Sequence, residues 1–246
     1  MVGLYTEDFY NTQSGGSIAS AETIVPIVMK HFRVTSVVDV GCGVGGWLKS
    51  FERCGVTDYL GYDGDYIPTH LLRIPADRFR AADLASLRTL ERTFDLACSL
   101  EVAEHLPPEA SAQFVRLLTS AAPVVMFSAA VPHQDGNGHI NVRWQSEWRK
   151  LFAERGFTAV DCIRPEVYGD KRVDWWYRQN IIVYCKPELR PAGAPELSDY
   201  DLNRVDPDMV AHLALGPHSG RQAVDSIRRS ATVLRRVAMR KLKPRA

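Results

Sequence analysis

Asp39 stands two residues ahead of a glycine cluster, in the run Val37-Val38-Asp39-Val40-Gly41-Cys42-Gly43-Val44-Gly45-Gly46-Trp47-Leu48. A β-branched run closing on an acid, a glycine cluster and an apolar helical start read as strand, tight turn and helix. Glycine is needed there because the turn demands φ > 0 and a ligand must approach bare main chain. Gly41, Gly43 and Gly46 satisfy G-x-G-x-x-G, the spacing of a dinucleotide site. Asp39 argues for a different ligand. A carboxylate beside the turn repels a pyrophosphate, which wants the helix N-terminus unopposed. It suits a cationic ligand instead, and S-adenosylmethionine carries an ammonium and a sulfonium and no phosphate.

The elements around this turn alternate. Strands are expected at Ser36–Val40, Tyr59–Tyr62, Phe79–Ala82, Phe94–Leu100, Val124–Val131, Phe157–Ile163 and Gln179–Cys185. Helices are expected after Gly46, over Glu109–Ala121 and over Gln145–Arg155, with a short irregular one near Ile67–Leu72. Val124–Val131 is almost wholly apolar, as a strand buried on both faces must be. This alternation predicts an α/β fold: a doubly wound, Rossmann-like, seven-stranded and mostly parallel sheet with an antiparallel final strand and helices on both faces. Residues 1–36 form an N-terminal helical lid or cap, with a helix starting near Ser20 and Pro26 in its first turn. Residues 37–187 form the core, and residues 188–246 a linker and basic tail.

The 246 residues carry a net charge of +1, with 46% hydrophobic and 24% charged content, as a soluble globular chain does. Such a balance gives the whole molecule no pull towards nucleic acid or anionic membranes. Glu7 and Asp8 interrupt the N-terminus and no signal peptide is expected; no apolar run reaches the roughly 20 residues of a membrane span. The five cysteines show no C-x-x-C spacing and fit buried thiols in a reducing cytoplasm. In the tail, Ile227, Ala231, Leu234, Ala238 and Leu242 recur at helical spacing among Arg228, Arg229, Arg235, Arg236, Arg240 and Lys241. A basic amphipathic helix of this kind docks on its own domain or a second protomer, or contacts an acidic partner or a membrane surface.

Asp39-Val40-Gly41-Cys42-Gly43-Val44-Gly45 resembles motif I of the class I S-adenosylmethionine-dependent methyltransferases, and the later features follow in that family's order. The resemblance implies that Asp63 and the adjoining Gly64 meet the ribose, and that Asp83 and Leu84 flank the adenine. It places Leu100 and Glu101, in Ser99-Leu100-Glu101-Val102-Ala103-Glu104-His105-Leu106, beneath the methyl donor, with Cys42, Gly45 and Trp47 lining the turn. Each acid has a plainer reading. Asp63 or Asp83 alone would serve as a helix cap, and Glu101 and Glu104 would pair with surface arginines.

Methyl transfer needs an acceptor aligned on the methyl–sulfur axis and, for a hydroxyl, a proton acceptor with a pKa near 7. Histidine fits that need. His139 is the expected base and His105 the second candidate, both following strands whose carboxyl ends bind ligands in doubly wound sheets. His133 and Asn141 in the same glycine-rich loop, and Trp175, Tyr177 and Arg178 further on, are expected to bind the acceptor. The aromatics read equally as a hairpin anchoring the sheet edge. No tight set of metal ligands is visible along the chain, and no metal is expected. The expected activity is methyl transfer from S-adenosylmethionine to a small molecule, at a hydroxyl of a sugar or natural-product intermediate. Transfer to nitrogen or carbon, non-catalytic cofactor binding and a nicotinamide oxidoreductase are the alternatives.

Overall fold

In the computed structural model the backbone is described for residues 7–215, and side chains for residues 16–213. The basic stretch within residues 220–246, with its proposed partner or membrane contact, lies outside the described residues. Residues 1–204 form one compact unit; in the second, residues 205–246, helix Pro207–Leu215 is described. No helix among the described residues is long and apolar enough to cross a membrane.

Seven strands form one sheet: β1 (Ser36–Val40), β2 (Asp58–Asp63), β3 (Phe79–Ala81), β4 (Leu96–Leu100), β5 (Val124–Ser128), β6 (Thr158–Val160) and β7 (Ile182–Cys185). Their order across the sheet is β3-β2-β1-β4-β5-β7-β6, all parallel except β7, which runs antiparallel to both neighbours. Strand order reverses between β1 and β4, and at such a switch the carboxyl ends splay apart and leave a crevice for ligands. The expected architecture is the observed one.

Alternate residues of each strand face opposite layers. Val37, Leu96, Cys98, Val124, Met126 and Val183 point to α1 (Glu7–His31) and α2 (Gly46–Arg53). Val38, Val40, Ala97, Val125, Phe127 and Tyr184 point to α3 (Ser111–Ala121) and α4 (Gln145–Ala153). There Phe152 stacks on Tyr184 with ring centroids 3.8 Å apart, and Trp148 is wholly enclosed. Cys42, Cys98 and Cys185 are buried free thiols, Cys162 is partly covered and Cys54 is exposed.

Three local expectations change. Helix α1 starts at Glu7, not near Ser20, so Pro26 lies deep inside it. The helix tolerates Pro26 because the carbonyl that loses its donor belongs to Glu22, and both residues lie on the exposed side, where water serves. Ala21, Ile24, Val25 and Val28 bury the other side completely. Second, β7 begins only at Ile182, and the residues before it form α5 (Trp175–Asn180) rather than a hairpin arm. The Asp174 carbonyl accepts the N–H groups of Tyr177 and Arg178 and turns the chain into that helix. Third, β5 pairing stops at Ser128, although Ala129, Ala130 and Val131 stay buried.

Candidate active site

The glycine turn after β1 takes its shape from three left-handed residues: Gly41 at φ 94°, Gly43 at φ 52° and Gly45 at φ 84°. At Gly41 a Cβ would lie 2.2 Å from a methyl of Val102, so the β4 loop closes directly onto bare backbone. At Gly43 a Cβ would meet nothing within 4 Å, so the turn is open there. Gly46 starts α2.

Two acids flank the turn. Asp39 lies on β1 opposite Gly61 of β2 and Cys98 of β4 and is 2% exposed. Burial, and then the charge of Asp63, push its carboxyl up to about 8. No cation among the described residues offsets it. Asp63 ends β2. Its Oδ2 accepts the Gly43 N–H at 2.7 Å, and its Oδ1 accepts the Gly64 N–H at 2.7 Å and the Tyr66 hydroxyl at 2.8 Å. Burial outweighs these three bonds and raises its pKa. Asp63 therefore pins the glycine turn, and Tyr66 lies across Gly64 so closely that a Cβ there would be 2.0 Å from its ring.

The remaining cofactor-side residues divide. Leu84 is half-buried and Leu100 and Cys42 are buried, with Cys42 Sγ filling the space a side chain at Gly61 would need. Asp83 is exposed, and its Oδ1 accepts the Ala85 N–H at 3.1 Å; no helix follows it, so the bond closes a turn and is not the helix cap of the plainer reading. Trp47 is 5% exposed, edge-on to Tyr177 with ring centroids 5.2 Å apart.

Across the switch point, a buried polar network replaces the surface ion pairs weighed for Glu101 and Glu104. Glu101 holds φ 55°, with Oε2 accepting from Gln134 Nε2 at 2.8 Å and Oε1 from Asn180 Nδ2 at 3.0 Å. Asn180 Nδ2 also donates to Gln134 Oε1 at 2.8 Å. Glu104 is wholly buried, and neither of its carboxyl oxygens makes a hydrogen bond of full geometry, although the Glu101 carboxyl and the Ala130 main chain lie close to it. Burial first, then the neighbouring Glu101 charge, drive its pKa well above the carboxylate range, and Glu101 moves the same way through burial.

The loop after β5 is stapled to this segment. The Glu104 carbonyl accepts both the Ile140 and Asn141 N–H groups, and Asn141 Nδ2 donates to the Ala103 carbonyl at 3.0 Å and to Ser111 Oγ at 2.9 Å. Asn141 is thus a buried staple between the two segments. What the staple positions is His139, whose ring meets His105 edge-on with centroids 5.0 Å apart. His139 Nδ1 lies 3.1 Å from the Gln134 carbonyl, an acceptor only, so Nδ1 carries the proton and Nε2 the lone pair. Gly136 makes room for that ring, since a Cβ there would stand 2.1 Å from Nε2. Burial lowers the pKa of both imidazoles.

Glu104, His105 and His139 each bring a ligating atom within 4.8 Å of the others. No such cluster was expected, because its members come from two segments separated by α3 and β5.

The other acceptor candidates separate. His133 is exposed with φ 74°. Trp175 is half-buried, its ring edge-on to Trp176. Tyr177 is buried, its hydroxyl 3.3 Å from Ser17 Oγ. Arg178 is buried, with Nη1 donating to the Asp170 carbonyl at 2.8 Å and the Val173 carbonyl at 3.1 Å. Tyr177 and Arg178 therefore hold α5 and its loop in place. Gln134 and Asn180 were missed; each stands beside a residue singled out by sequence, His133 and Gln179 of the aromatic stretch, but nothing local marks them.

Comparison with known proteins agrees with this geometry. The profile of a methyltransferase domain family matches residues 19–161. No curated protein sequence matches. Among solved structures, the sugar N-methyltransferase KedS8 of Streptoalloteichus sp. superposes with a TM-score of 0.56 at 15% identity, over 76% of this chain and 97% of that one. CalS10, an amino pentose methyltransferase of Micromonospora echinaspora, gives 0.55 at 15% identity over 76% and 99%. DesVI of Streptomyces venezuelae gives 0.54 at 16% identity over 73% and 96%. These likenesses establish the fold.

Proposed function

The chain belongs to the methyltransferase domain family, and from that premise we propose that it transfers a methyl group from S-adenosylmethionine to a hydroxyl of a small molecule, in the sugar or natural-product class. The single observation carrying the oxygen reading is His139 Nε2, a lone pair fixed by the Nδ1–Gln134 bond at the carboxyl edge of β5. The cofactor fits on two features of this chain. Asp39 is a buried acid with no compensating cation, suited to an ammonium, and the turn at Gly43 opens onto free space. Asp39, Gly41, Gly43, Asp63 and Gly64 would hold it, with Asp83 and Leu84 at its rim. When bound it supplies a methyl group on a sulfonium, electrophilic and in line for displacement.

The residues of the chain do the rest. Val102 closes over Gly41 and excludes water between the turn and the β4 loop. The Glu101–Gln134–Asn180 network fixes the floor on which the acceptor rests, so alignment is built in before binding. His139 Nε2 accepts the hydrogen bond of the acceptor hydroxyl and takes its proton as the oxygen–methyl bond forms. His105 packs against that ring and limits its rotation.

Nitrogen is the competing acceptor, favoured by the name of the sugar N-methyltransferase KedS8. Calorimetry with S-adenosylhomocysteine and with NAD tests the cofactor: saturable binding of the first is expected, and tight NAD binding overturns the reading. Matched sugar pairs differing only in hydroxyl or amine, scored by S-adenosylhomocysteine release, test the acceptor. Turnover confined to the amine moves the reaction to nitrogen.

A further inference from the structure

We propose that Glu104, His105 and His139 bind one divalent first-row cation on the acceptor side of the sheet edge. The three ligating atoms lie within 4.8 Å of one another. Ligands about 2.1 Å from an octahedral ion stand about 3.0 Å apart when adjacent and about 4.2 Å when opposite, so small side-chain rotations complete the set.

Two independent observations point to an ion. The first is Glu104 itself. Its carboxyl is wholly buried and neither oxygen makes a hydrogen bond of full geometry, with the Glu101 carboxyl and the Ala130 main chain close by, although its main-chain carbonyl accepts two hydrogen bonds. A buried carboxyl so weakly satisfied calls for a further partner, and beside two imidazoles a cation is that partner. The second is the bond from His139 Nδ1 to the Gln134 carbonyl. A metal-ligating histidine characteristically gives its other ring N–H to a backbone carbonyl or a carboxylate, which fixes tautomer and orientation. The Gln134 side chain is held in turn by Glu101 and Asn180, so this supporting shell is ordered.

Two imidazoles and one carboxylate favour Mn2+, Fe2+, Co2+ or Zn2+ over Mg2+, which prefers oxygen ligands and retains its waters. Three protein ligands leave coordination positions open, and an acceptor oxygen can fill one. The inference rests on the methyltransferase reading above and replaces its proton acceptor. In the loaded protein His139 is a ligand rather than the proton acceptor, the cation polarises the acceptor hydroxyl, and the proton passes to water.

The test uses the full chain, stripped with EDTA, exchanged into chelator-free buffer and titrated with MnCl2 and ZnCl2 by calorimetry, with Mn2+ also followed by its paramagnetic resonance spectrum. One ion per chain is expected, with binding weakened at least about tenfold in Glu104→Gln and in His139→Asn. Gly136→Ala, which keeps every ligand but forces the His139 ring aside, is expected to weaken binding as well. His133→Asn, an exposed histidine in the same loop, is expected to bind as wild type. Ion binding raises the melting temperature of wild type but not of Glu104→Gln. Binding below one ion per chain, or equal binding in wild type, Glu104→Gln and His139→Asn, overturns the site. If Glu104→Gln does not fold, His139→Asn and Gly136→Ala decide. S-adenosylhomocysteine is titrated into the same stripped protein. If it binds and the ions do not, only the cation site falls; if it does not bind, the methyltransferase reading falls whatever the ions do.

Discussion

Around the glycine turn the groups that matter lie within a few residues of a strand end, whereas around His139 they arrive from three separated segments. The turn works through backbone: left-handed glycines, one pinning acid and one buried acid. The acceptor side works through side chains: Glu101 and Glu104 after β4, Gln134 and His139 after β5, Asn180 at the end of α5. A site fixed by main-chain conformation is damaged by adding atoms, and a site fixed by a side-chain network by removing them. The two sides should therefore fail in different ways.

The largest effect is expected at Gly41. Alanine there is forced into φ 94° and into a Val102 methyl 2.2 Å away. Strain and overpacking together should cost about 3 kcal/mol or more. Gly43→Ala has no steric conflict and should cost only the left-handed term, about 1–2 kcal/mol. Denaturant midpoints compare the two, and S-adenosylhomocysteine titration should show binding lost for Gly41→Ala. Equal costs would mean that the Val102 contact does not shape the turn.

Removing an atom tests the other side. Asn180→Ala takes the Asn180 donor from Glu101 Oε1 and leaves Gln134 Oε1 only the Val131 N–H at 3.4 Å, in a buried network. About 2 kcal/mol of stability should go, at about 1–3 kcal/mol per unsatisfied buried group less relaxation. Affinity for S-adenosylhomocysteine should stay within about twofold of wild type, because additivity holds between sites without shared partners. A parallel loss of cofactor affinity would show the two sides to be one cooperative network.

The same contrast explains what the sequence made legible. Strand, turn and helix around Asp39 follow one another in the chain, and a β-branched run ending in glycines has few other solutions, so the sheet and the donor end were readable. Asp63 was placed correctly at its strand end. Its partner, the Gly43 N–H, was not, because that contact exists only once β1 and β2 lie side by side. Asn141 and Arg178 were singled out as polar residues between strands. In the fold each satisfies backbone carbonyls, Asn141 one of a distant segment and Arg178 those of its own loop, and no spacing along the chain shows this. The last strand was started at Gln179 rather than Ile182 because helix α5 is set by N–H groups donating to the Asp174 carbonyl, not by any periodicity. The Glu104–His105–His139 cluster was invisible for the same reason as the Asn180 network: no spacing along the chain encodes it.

A pH series separates the sides further. The Asp39 carboxyl titrates near 8 in the folded chain and near 3.9 when unfolded. Below about pH 4 both states hold the proton; between about 4 and 8 only the folded state does, so stability of the ligand-free protein should fall as pH rises through that window and level off above it. Cofactor affinity should move oppositely. An ammonium ligand needs the carboxylate, so binding should strengthen by up to about tenfold per pH unit until about pH 8. Chemical denaturation and calorimetry from pH 5 to 9 check both slopes, and Asp39→Asn should flatten both. Slopes of the same sign would remove Asp39 as the ammonium partner.

The smallest effect has the most informative sign. Tyr66 donates its hydroxyl to Asp63 Oδ1 and lies over Gly64, while half of the residue remains exposed at 52%. If Asp63 receives the ribose, the Tyr66 hydroxyl and the ribose hydroxyls compete for one carboxylate that the Gly43 and Gly64 N–H groups already hold in place. Tyr66→Phe removes the competitor and keeps the ring. The protein should lose about 1 kcal/mol or less, the net worth of one hydrogen bond, while affinity for S-adenosylhomocysteine rises by up to about fivefold. A ligand that binds more tightly to a less stable protein identifies an occupied acceptor rather than a lost contact. Reduced affinity would instead make Tyr66 a ligand in its own right, and the donor side would then depend, like the acceptor side, on a side chain as well as on backbone.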